Sequence, residues 1–138
     1  PTERGPVPYA AEDANGVLLE LHARTAADAE AAAREVAVDV RRGSPTFARW
    51  FGVTLSAENF RQIWIPAGFA HGFGVLSERA EVEYKCTTLY RPDADLAIRW
   101  NDPEIGIAWP SPTPTLSPKD AAAPPLAEVA GRLPLFAG

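Results

Sequence analysis

The chain has 138 residues and a net charge of −5, with 46% hydrophobic and 22% charged residues. That suits one domain with its own core and excludes the clustered basic footprint of a nucleic-acid binder. A single cysteine, Cys86, excludes an internal disulfide and a cysteine zinc site. No run is apolar enough to span a bilayer, and no charged-then-apolar leader opens the chain. The expectation is one cytoplasmic domain over residues 1–138, with no membrane partner.

Residues 1–15 are proline-rich and polar and read as an arm. GVLLELH, 16–22, reads as a short strand. The Ala-rich run from Thr25 to Glu35 has a Thr start and early acids, which predicts an N-capped helix, with a connector lacking fixed structure as the alternative. From Val36 the period becomes two. Val36, Val38 and Val40 share a face, with Ala37, Asp39 and Arg41 opposite. Gly43-Ser-Pro and the segment from Ser56 to Asn59 are turns. Alternation predicts strands over 47–55, 61–65, 68–76 and 80–88, the last placing Val82, Tyr84 and Cys86 on one inward face. Beyond Asp102 the chain is rich in prolines, and a short helix is expected from Pro125 to Gly131. Trp50, Trp64, Trp100 and Trp109 read as core or interface residues.

Two side chains could carry chemistry. His71 is one of two histidines and sits between Ala70 and Gly72, small neighbours that leave room for a ligand. The bland alternative, a core histidine with a satisfied hydrogen bond, is equally consistent with the spacing. Tyr84 on an inward face is more often a core residue with its hydroxyl paired, yet beside a bound ketone its phenol can return a proton to a carbanion. No second histidine or carboxylate brackets His71 at metal-ligand spacing, so no metal site is expected. Taken alone, Asp120 in SPKD reads as an exposed helix cap.

The run VAVDVRRGSPTFARWFGVTLSAENFRQIWIPAGFAHGFGVLS, followed by AEVEYK, YRPDADLAIRWNDPEIGIAWP and LSPKDAAAP, resembles the dTDP-4-dehydrorhamnose 3,5-epimerase family of cupins. The resemblance implies an all-β, cupin-type jelly-roll barrel with short flanking helices. It implies inversion of the carbons flanking the C4 ketone of a dTDP-4-dehydro-6-deoxyhexose, without metal or cofactor. It further implies Tyr84 as proton donor, Asp120 as the carboxylate orienting a catalytic histidine, and His22, at the end of GVLLELH, as that histidine. His71, Tyr90, Lys85 and Ser117 are the implied substrate contacts, His71 as a hydrogen-bond donor to the developing enolate.

The front of the chain departs from the family. Leu19 and Glu20 stand where the family has arginine and glycine, and the segment between His22 and Val36 is short and helix-prone. Two readings of function follow: a nucleotide-sugar epimerase, or a non-catalytic cupin remnant or engineered scaffold that keeps the epimerase core. A metal-dependent cupin is disfavoured by the ligand count. Sheet edges left open by a shortened front would need cover, which predicts a homodimer.

Overall fold

The computed structural model describes residues 31–86 and 89–138 in full and 17–21 as backbone. Among the described residues six strands form two antiparallel sheets: β1 (Val17–Leu21), β2 (Ala32–Asp39), β3 (Trp50–Ser56), β4 (Gln62–Ile65), β5 (Phe69–Val75) and β6 (Val82–Cys86). One sheet has the order β3-β2-β5 and the other β4-β1-β6. From β3 onward each successive strand changes sheet, as in the double-sheet jelly roll.

The central strand β2 is buried on both faces. Ala33 and Ala37 join Leu55 of β3 and Ile63 and Ile65 of β4 in the core between the sheets. Val36, Val38 and Val40 face the other way, where Leu96, Ile98, Leu126, Val129 and Leu133 of the C-terminal segment close a second core. Here the period-two valines are the seat for the long proline-rich tail. Small residues help that tail settle. Ala70 and Gly72 line a small apolar cavity with Ile98, Ile107 and Trp109.

The tail is fastened by specific bonds. Helix α1 (Pro118–Ala121) is capped by Ser117, whose Oγ accepts from the Asp120 N–H at 3.1 Å. Helix α2 (Leu126–Val129) begins after Pro125, which offers no capping side chain. The buried Asp102 substitutes for it, with Oδ2 accepting from the Leu126 N–H at 2.7 Å. A 3₁₀ turn, Ala130–Arg132, then leads to Leu135, which bridges Arg42 in parallel.

Several expectations need correction. Residues 32–35, predicted as the end of an Ala-rich helix, are the first half of β2, because Ala33 and Glu35 pair with Val75 and Phe73 of β5. Residues 25–30 lie outside the described residues. Phe47 is in a turn rather than a strand. Asp120 is buried rather than an exposed cap, and the capping is done by Ser117.

Candidate functional site

On the β3-β2-β5 sheet the positions facing its partner are set by register. Ala37 pairs with Phe51 on one side and His71 on the other, and Glu35 pairs with Val53 and Phe73. Directly paired residues project to the same face, so Glu35 and His71 both enter the space between the sheets, as diagonal neighbours. There they meet. His71 Nε2 lies 2.6 Å from Glu35 Oε2, with Glu35 fully buried and His71 only 8% exposed. The His71 ring stacks near Phe73, with centroids 6.1 Å apart. Glu35 Oε1 is a buried atom without a hydrogen-bond partner.

This pair alters the role of the small residues around His71. Ala70 and Gly72 face the opposite side of the sheet, where with His71 they line the small apolar cavity under the C-terminal segment. Glu35 was missed because it was assigned to a helix. The available signal was its place in the run Ala33, Glu35, Ala37: a carboxylate set into an apolar row at period two.

Tyr84 sits on β6. It and Ile63 of β4 both pair with Leu19 of β1, so Tyr84 is on the face that turns toward the other sheet, beside a buried isoleucine. The orientation matches the alternation, but the burial does not. Tyr84 is 60% exposed, and Cys86 on the same face is exposed as well, because β6 is an edge strand whose inner face is covered only near Val82. Phe51, on the inner face of the edge strand β3, is likewise exposed. Lys85 alternates to the other face of β6, where its Nζ is 3.8 Å from Glu83, so it does not converge with Tyr84.

Beyond β6, Tyr90 donates to Asp95 Oδ2 at 3.2 Å, and Lys119 pairs with the same carboxylate oxygen. Tyr90 and α1 therefore meet at Asp95, which brings Ser117 and Asp120 into the same neighbourhood. His22 lies outside the described residues. Among the described residues no group of three or more His, Cys, Asp or Glu side chains could hold a metal ion.

A second buried carboxylate serves the frame. Asp39 Oδ1 accepts from Arg41 Nε at 2.9 Å, and Oδ2 accepts from Arg41 Nη2 at 2.9 Å and Ser44 Oγ at 2.6 Å. Burial pushes its carboxyl up, but the hydrogen bonds from Arg41, Ser44 and Thr46 outweigh this and hold it well below the usual carboxylate range. The Arg41 guanidinium is itself set between the rings of Phe69 and Phe136, 4.9 Å from each centroid. Both carboxylates of the inner β2 face are thus paired, Asp39 with an arginine of the frame and Glu35 with the one described histidine.

Residues 10–128 match the dTDP-4-dehydrorhamnose 3,5-epimerase family. The chain is 63% identical over 91 residues to dTDP-4-dehydrorhamnose 3,5-epimerase of Salmonella typhimurium, covering 65% of this chain and 50% of that protein. It is 62% identical over 89 residues to the enzyme of the same name from Neisseria gonorrhoeae, covering 64% of this chain and 27% of that one. The chain thus spans half or less of these relatives. Among solved structures it is similar to dTDP-6-deoxy-D-glucose-3,5-epimerase from Legionella pneumophila in complex with dTDP-4-keto-L-rhamnose. There the TM-score is 0.86 at 43% identity, over 99% of this chain and 70% of that one. It is also similar to a 3'-monoepimerase from Streptomyces bikiniensis in complex with dTDP-quinovose, with TM-score 0.80 at 33% identity, over 97% of this chain and 66% of that one.

Proposed function

Because this chain belongs to the dTDP-4-dehydrorhamnose 3,5-epimerase family, we propose that it inverts C3, C5 or both in a dTDP-4-dehydro-6-deoxyhexose, as an isomerase of deoxysugar biosynthesis. The C4 ketone acidifies the neighbouring C–H bonds, so proton removal and return need no metal or cofactor. In this reading His22 removes the proton, Asp120 orients His22, and Tyr84 returns a proton to the carbanion. His71 meets the sugar, Tyr90 lines the nucleotide end, and Ser117 fixes α1 so that Asp120 keeps its place. Lys85, on the outer face of β6, is left as a contact at the periphery.

The observation that carries the reading is the arrangement between the sheets. A histidine held by a buried carboxylate enters from one sheet, and an exposed phenol occupies the inward-turned face of the other. An exposed Tyr84 is open to a substrate in a way that a core tyrosine would not be. The burial of Asp120 favours a positioning role over that of a surface cap. The proposal includes a homodimer in the cytoplasm, where a free, exposed Cys86 suits a reducing environment.

One observation favours the non-catalytic reading. Glu20 introduces an acid, and Leu19 removes a guanidinium, at positions where the family has glycine and arginine. Solvent deuterium incorporation into dTDP-4-dehydro-6-deoxyglucose, followed by NMR, separates the two. Exchange at C3 or C5 that is lost in His22→Ala is the expected result. A folded protein that gives no exchange would be the remnant.

A further inference from the structure

The Glu35–His71 pair has a consequence for which edge of the imidazole a ligand can use. Nε2 is occupied at 2.6 Å by a carboxylate that is fully buried. With Glu35 as a carboxylate, whose oxygens only accept, the proton of that bond belongs to Nε2. Among the described residues, Glu35 Oε1 is the only buried side-chain polar atom without a partner. No hydrogen bond among the described residues reaches Nδ1 of His71, so with Nε2 committed to Glu35 it is the ring nitrogen left for a ligand.

Among the described residues the other ionisable side chains on the inner faces do not compete for the ring. Asp39 of β2 is committed to Arg41, Ser44 and Thr46. On that side β3 offers Phe51, Val53 and Leu55, and β4 offers Ile63 and Ile65, all apolar. Tyr84 and Cys86 belong to the facing sheet and are exposed.

We propose that Glu35 is a positioning residue: it fixes His71 with the proton on Nε2 and leaves Nδ1 as the edge presented to a ligand. Resting on the epimerase reading, this makes Nδ1 the atom that meets the sugar. In the neutral ring Nδ1 accepts from a sugar hydroxyl, and it donates only from an imidazolium paired with Glu35.

The test is ¹⁵N NMR of the imidazoles in the full chain, where two histidines keep the spectrum simple. The expected result is a protected proton on His71 Nε2, weakened or lost in Glu35→Gln, whose carboxamide can equally donate to Nε2. Adding dTDP-quinovose, which has no ketone to react, is expected to move the Nδ1 resonance and leave the Nε2 proton in place. In turnover, Glu35→Gln is expected to lower kcat about tenfold or more with a smaller change in KM. An Nε2 without a proton in the unmutated chain would overturn the proposal, even if the variant fails to fold. So would displacement of that proton by the sugar. Silence of every imidazole resonance toward dTDP-quinovose, with the Nε2 proton in place, would instead count against the epimerase reading and leave the role of Glu35 supported.

Discussion

At the scale of single residues, the two buried carboxylates of β2 show how one strand serves two ends. Glu35 and Asp39 occupy the same inner face, four residues apart in the sequence. Asp39 takes Arg41, Ser44 and Thr46 and becomes a structural knot. Glu35 takes a histidine and keeps one oxygen without a partner. The depressed carboxyl of Asp39 means that its stabilising contribution is fully present above the ordinary carboxylate value of about 4. It is lost as the pH falls below that value toward the folded-state titration. Asp39→Asn should therefore cost about 3 kcal/mol near neutrality, because it leaves Arg41 without its partner. The variant should also show a flatter stability profile between about pH 4 and pH 2. Urea denaturation across that range measures both effects, and a variant with the parent's pH profile would deny Asp39 this role.

At the scale of elements, the turn from β4 into β5 depends on the same arginine. Gly68 has φ +84°, and a Cβ built on it would lie 2.6 Å from Arg41 Cγ. Arg41 cannot withdraw, because its guanidinium is held by Asp39 and by the rings of Phe69 and Phe136. Gly43 has the same φ of +84° with nothing within 4 Å. Gly43→Ala should cost about 1 kcal/mol of backbone strain, and Gly68→Ala about 2–4 kcal/mol, the excess being the clash. Thermal unfolding of the two variants side by side gives that difference, and equal losses would show that Arg41 yields. The strand periods of β2 to β6 were legible because a sheet with a buried face imposes alternation on its side chains. The Ala-rich start of β2 was not. Alanine favours a helix in isolation, whereas the pairing of Ala33 with both Leu55 and Val75 is a tertiary fact that overrides it.

At the scale of the whole molecule, the described strands leave edges at β3, β4, β5 and β6, with Phe51, Trp64 and Tyr84 exposed on three of them. Open edges carrying aromatics invite another chain, and a second copy can cover them. Sedimentation should give twice the 14.8 kDa of one chain, and a well-folded monomer would refute the homodimer. The C-terminal segment needs no such partner, since Leu126, Val129 and Leu133 are already buried against β2.

The sequence by itself determined the family and the sheet-forming core from Val36 onward. These rest on local order: a period of two, turn residues at their places, and motifs in a fixed succession. It did not reveal that His71 is held by Glu35, that Ala70 and Gly72 face away from the imidazole, or that Tyr84 is exposed. Those depend on which strands are neighbours and which edges are covered. A side chain's partner and its contact with water are set by the strand beside it, and register joins residues 36 positions apart as readily as adjacent ones.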